Sequence, residues 1–229
     1  TCALPIFLGF LYLITALLVI FFLPKDNVQK SDKSILHKLV QMKDLFKNRK
    51  LVISFVITFM LLFSLVGMYS ILGGYLASEK FELTDQQILF VRALGIIGML
   101  TSIFAGKISG KLGVIYALRV GLMVGATTLL IMGISSSAII VILCSILFVA
   151  GIALVVPVNI SLVNEIAKQA RGSAVLFNAF SLFLGASIGP MLATKLMATG
   201  SYVLSFFVFS IFLFGSFIIS LFFKVPSNK

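Results

Sequence analysis

Seven apolar runs alternate with short polar segments along the chain, at residues 3–23, 51–77, 87–106, 115–134, 138–160, 173–193 and 202–223. Each is about 20 residues long, which at about 1.5 Å rise per residue covers a hydrocarbon core about 30 Å thick. The pattern predicts seven transmembrane α-helices. A closed β-barrel also satisfies its backbone in lipid, but its strands alternate apolar and polar positions. The run 202–223 is apolar on every face, so helices are the expected solution.

Composition agrees with the pattern. The chain is 60% hydrophobic and 11% charged, with a mean hydropathy of +1.19, which excludes an ordinary soluble domain. Cys2 and Cys144 both lie in apolar runs, where a thiol behaves as a small hydrophobe, and their spacing predicts neither a disulfide framework nor a metal site. No Gly-rich loop followed by Lys and Ser/Thr offers a phosphate cradle, and no catalytic constellation is present. The expectation is a non-enzymatic protein without cofactor. The first run has no basic region before it and no initiator Met, so it reads as an internal helix rather than a signal peptide, and the chain as a piece of a longer protein.

The net charge of +11 raises the question of nucleic-acid binding, and the placement of the charges answers against it. Lys25, Lys30, Lys33, Lys38, Lys43, Lys47, Arg49 and Lys50 crowd the segment between the first two runs, while the next polar segment holds Lys80 against Glu79, Glu82 and Asp85. Lys107, Lys111 and Arg119, then Lys168 and Arg171, then Lys224 and Lys229 continue the alternation on the basic side. The excess of Lys and Arg in retained loops predicts that the 24–50 linker and the C-terminus are cytoplasmic. The linker is too short to bury a core of its own. Ile35, Leu39, Met42 and Phe46 recur near helical spacing among the lysines, so both an interfacial helix and a solvated connector fit, and the single His37 has no neighbour that makes it a ligand. The expected organisation is a helix at 1–23, a basic linker at 24–50 and a six-helix bundle at 51–229.

Small residues mark helix contacts: Gly67, Gly73 and Gly74, Gly95 and Gly98, Gly121 and Gly125, Gly185 and Gly189. The segment AGKISGKLG, Ala105 to Gly113, reads as a tight Gly-rich turn carrying Lys107 and Lys111. It resembles the Gly-x-Leu-Ala-Asp-Arg-x-Gly loop signature of the major facilitator superfamily. Gly106, Ile108, Lys111 and Gly113 fit it, whereas Ser109 and Gly110 replace the Ala-Asp pair, so the charge that helps to gate such loops is missing from this copy. Ile88 to Gly113 and Ala170 to Pro190 further resemble the eighth span with its loop and the eleventh span of bacterial drug and sugar efflux carriers.

The resemblance covers essentially the whole chain and makes it the sixth to twelfth spans of such a carrier. It implies a seven-helix, all-α polytopic inner-membrane protein, partnered by the bilayer, by a preceding N-terminal half and by a small-molecule substrate, with protons as coupling ion. It implies secondary transport by alternating access, with substrate held near the midplane between two halves. An uptake symporter of the same superfamily is the alternative reading. A seven-helix receptor or photoprotein is a more distant one, suggested by helix count and Lys195, which lies near the end of the penultimate run rather than mid-membrane in the last.

The candidate cavity residues are Arg92, Asn159, Asn178, Phe177 and Tyr69, with Phe180 as further aromatic wall. Arg92 lies just inside a span, where a cation needs a cavity, a partner or the interface; snorkelling toward Asp85 or the headgroups is the plain alternative. The asparagines fit either substrate or helix–helix hydrogen bonds. Gly106, Lys111 and Gly113 in the loop, and Gly185, Gly189 and Pro190 in the sixth run, are expected to serve packing or conformational exchange, Pro157 being a second bend candidate. No run carries an acid at its middle: Asp26, Asp32, Asp44, Glu79, Glu82, Asp85 and Glu165 sit in loops or at helix ends. A coupling carboxylate is therefore expected in the other half.

Overall fold

The computed structural model describes residues 3–22, 45–168 and 170–223. Two compact units divide the chain, residues 1–37 and 38–229. The first contains one described helix, α1 (Ala3–Phe22), whose 20 residues are almost wholly apolar. The interfacial helix expected from Ile35, Leu39 and Met42, and His37 with it, lies outside the described residues.

The second unit contains α2 (Arg49–Ala77), α3 (Asp85–Met99), a 3₁₀ segment (Leu100–Phe104), α4 (Ala105–Leu112), α5 (Val114–Ile134), α6 (Ala138–Ile166), α7 (Arg171–Met197) and α8 (Tyr202–Ser220). No strand occurs among the described residues. Residues 85–112 form one span, giving six helices in this unit long and apolar enough to cross a membrane. Local chemistry sets their starts. The Asn48 side chain accepts from Lys50 N at 3.1 Å, Thr84 and Gln87 form a reciprocal capping box, and Ser201 accepts from Leu204 N at 3.2 Å; each satisfies amide donors that a helix leaves open at its first turn.

Several boundaries differ from the sequence reading. Hydropathy ends α6 at 160 and α7 at 193, but the helices run on to Ile166 and Met197, because a helix keeps its hydrogen bonds as it leaves the apolar zone. More consequentially, AGKISGKLG is not a turn. Ala105–Leu112 is helical, and only Gly113, at φ 88° and ψ 147°, reverses the chain into α5. That conformation is essentially closed to residues with a Cβ. Gly106 and Gly110 sit in the helix without breaking it, and α6 and α7 likewise continue through Pro157 and Pro190.

Helix α2 is the centre of the bundle, packed most heavily on α7 and also on α8 and α6, while α5 fills the angle between α6 and α8. Lipid tails are as apolar as leucine, so these contacts rest on close approach rather than on a hydrophobic drive. A Cβ at Gly185 would lie 2.2 Å from the Phe59 carbonyl oxygen and one at Gly189 2.3 Å from that of Phe63, so α7 meets α2 backbone to backbone. Gly98 against Ile146, and Gly121 against Gly151, join α3 to α6 and α5 to α6 in the same way. At the acidic end, Lys80 Nζ donates to the Tyr75 hydroxyl and the Ser135 carbonyl, both at 3.1 Å, pinning the α2–α3 loop to the α5–α6 loop.

Candidate functional site

Polar side chains inside the bundle gather at two places. In the first, α2, α6 and α7 meet around Thr58. Asn159 Nδ2 donates to the Thr58 hydroxyl at 2.6 Å and to the Ser54 carbonyl at 3.0 Å. Thr58 Oγ1 in turn donates to Asn178 Oδ1 at 2.7 Å. Thr58, Asn159 and Asn178 are all buried. The two asparagines therefore stand at a three-helix junction, joined through a threonine on the central helix. Asn159 Oδ1 and Ser54 Oγ have no protein partner among the described residues, so the junction retains spare hydrogen-bonding capacity.

In the second, α2 and α3 exchange polar groups across two glycines. Arg92, an exposed residue of α3, donates from Nη2 to the Tyr69 carbonyl at 3.1 Å. Its guanidinium occupies the space that a Cβ at Gly73 would need, at 2.4 Å from it. The half-buried Tyr69 sends its hydroxyl over Gly95 in the opposite direction. Arg92 thus meets the requirement for a cation at membrane depth by reaching a backbone acceptor on its neighbour.

The aromatic candidates fall elsewhere. Phe177 packs edge-on against Phe46 at 4.8 Å and Phe55 at 4.7 Å, beside the cluster of Leu45, Leu51, Val163 and Ala174 at the basic end. Phe180 contacts Phe177 at 5.8 Å but is itself exposed. Lys111 and Lys195 are exposed at opposite ends of the bundle, and a Cβ at Gly106 would meet nothing within 4 Å among the described residues. The structure thus joins Asn159 to Asn178 and Arg92 to Tyr69, but it does not bring these two pairs together with Phe177 into one cavity.

Thr58, Ser54 and Thr101 were not distinguishable in the sequence. Thr101, in the 3₁₀ segment, donates to Gly98 O at 2.8 Å or Ala150 O at 2.9 Å, tying the break in the 85–112 span to α6. A threonine in an apolar helix ordinarily bonds its own preceding turn, and nothing in the spacing tells which ones reach a neighbour.

Six apolar spans with buried polar junctions between them define an integral membrane helical bundle. A family model described as Major Facilitator Superfamily matches residues 3–190. The chain belongs to that superfamily and is a membrane transporter of its kind. Comparison with curated proteins returns no match.

Proposed function

We propose that this chain forms one wall of a proton-coupled small-molecule efflux carrier of a bacterial inner membrane, working by alternating access, with the basic ends of its helices in the cytoplasm. The observation that carries the reading is the uneven burial of the spans. Only 28% of the apolar window of residues 85–112 and 22% of that of α7 is covered within the bundle, against 56% for α2. These two flanking spans present broad faces, including Phe90, Ile97, Phe183 and Met191, to a second bundle that completes the cavity. Arg92 belongs to one flank and Gly185, Gly189 and Pro190 to the other, so relative movement of the bundles acts on both.

Among the described spans, acids occur only at ends: Asp85 begins α3 and Glu165 is one residue from the end of α6. Proton coupling needs a group that titrates within the membrane, and in this reading the second bundle supplies it. The test is substrate-dependent proton flux in proteoliposomes under an imposed pH gradient, comparing this 229-residue chain with the complete product of its gene. Flux from the complete product alone supports the reading. Equal flux from the chain by itself removes the second bundle from the mechanism and places coupling on Arg92 and its polar neighbours.

A further inference from the structure

A sizeable cavity lies at the basic end of the bundle, away from both polar junctions. It measures about 870 Å³ and is bounded by the start of α2, the Leu112–Tyr116 corner, the end of α6 and Phe223. That volume is within the range of about 300–1,000 Å³ typical of ligand clefts. Its lining has two chemistries. Ile115, Leu162 and Phe223 are buried apolar side chains, whereas among the described lining residues Arg49, Lys50 and Lys168 supply cations against the carboxylate of Glu165.

The cations are placed against local preference. Arg49 and Lys50 occupy the first turn of α2, which contains no acid, although the positive end of a helix dipole favours anions there. Accumulation of basic residues at the cytoplasmic ends of spans accounts for their sign, but not for their convergence on an apolar-floored cavity. An occupant carrying an anion at one end and hydrocarbon at the other neutralises the cationic rim and covers the apolar floor. At the edge of a bilayer, phospholipid has that chemistry.

We infer that this cavity holds the phosphate headgroup and the adjoining acyl segments of an anionic phospholipid. Arg49, Lys50 and Lys168 bind the phosphate, the corner at Gly113 leaves room for the glycerol, and Ile115 and Phe223 meet the chain. Such a lipid ties α2, α5 and α6 together at one membrane surface. The inference rests on the bundle spanning a bilayer and not on what it transports, so the absence of flux in the experiment above leaves it intact.

Native mass spectrometry of the purified, delipidated chain titrated with dioleoyl-phosphatidylglycerol or dioleoyl-phosphatidylcholine tests it. The anionic lipid is expected to be retained at least about tenfold more strongly, and a R49Q/K50Q/K168Q variant to lose that preference, since each basic residue near a membrane surface contributes appreciably to anionic lipid binding. Lys195→Gln, at the opposite end, leaves the preference unchanged. Glu165→Gln removes the opposing carboxylate and raises retention, which gives a readout of opposite sign if the triple variant does not fold. Equal retention of the two lipids, or a preference that survives in the triple variant and is unmoved by Glu165→Gln, overturns the inference. Displacement of the phosphatidylglycerol by inorganic phosphate at comparable concentration also overturns it, because the cavity then recognises a free anion rather than a lipid.

Discussion

Arg92 and Tyr69 reach across the α2–α3 contact in opposite directions: the guanidinium donates to the Tyr69 carbonyl at 3.1 Å over Gly73, and the Tyr69 hydroxyl lies over Gly95, three residues beyond Arg92. Each polar side chain is admitted by a glycine on the opposite helix. The contact between α2 and α3 is otherwise slight, so this pair governs how the two spans meet near the acidic end.

Gly73→Ala is accordingly expected to displace the guanidinium without disturbing the fold, because the atom in the way is the far end of a flexible side chain. Thermal stability in detergent should fall by no more than about 1 kcal/mol, the usual net worth of one hydrogen bond. Arg92→Gln should match it in stability, and in the complete transporter both should slow flux to a similar degree. If Gly73→Ala unfolds the bundle, the pair holds the fold rather than tuning it.

Glycines of α7 behave differently. Gly185→Ala and Gly189→Ala press a methyl group onto the backbone of α2 at Phe59 and Phe63, where neither partner moves without shifting a helix. A loss on the order of 1–3 kcal/mol each is expected from such overpacking. Gly106→Ala meets open space in a helix and is expected to be neutral or to stabilise by up to about 1 kcal/mol. Gly113→Ala also meets open space, yet its φ of 88° makes the replacement strained. Melting curves of the four variants should therefore separate packing, helix propensity and backbone strain within one family of substitutions.

The six spans of the second unit and their order were readable because about twenty apolar residues in a row have few other uses. The helical character of Ala105–Leu112 was not, since three glycines in nine residues suggest a turn, whereas lipid on one side and α5 and α6 on the other favour continued helix. Partners were the least readable feature. Spans that are apolar all round carry no periodicity to fix their rotation, so Asn159 and Asn178 were visible as polar residues while Thr58, the atom-level link between them, was not.

That link gives a direct test. Thr58→Val removes the donor to Asn178 and one acceptor of Asn159, leaving buried polar groups unpaired, and should cost about 1–2 kcal/mol. Asn178→Leu in the same background removes the orphaned partner, so the double variant should lose less than the sum of the two single losses. Additive losses would mean that the two side chains act independently and that the 2.7 Å contact contributes nothing to stability.

The basic end of the bundle is also held by Arg119, whose guanidinium Nη2 lies 3.2 Å from the Ser220 carbonyl, 3.3 Å from that of Phe223 and 3.4 Å from that of Leu221. These carbonyls lie at and just beyond the C-terminus of α8, where the helix dipole favours a cation, and that of Ser220 also accepts from Phe223 N at 3.1 Å. Arg119 comes from α5, one and a half turns after the Gly113 corner, so it fastens the last span to the corner rather than capping its own helix. Arg119→Gln should cost about 1–2 kcal/mol and expose the end of α8 to proteolysis before the rest of the bundle. Arg119→Lys keeps the charge but not the flat guanidinium that meets several acceptors at once, so a partial rescue is expected. Full rescue by lysine would assign the effect to charge alone, and unchanged protease resistance in both variants would show that packing of Phe206, Phe209 and Leu213 on α5 and α2 already holds the last span.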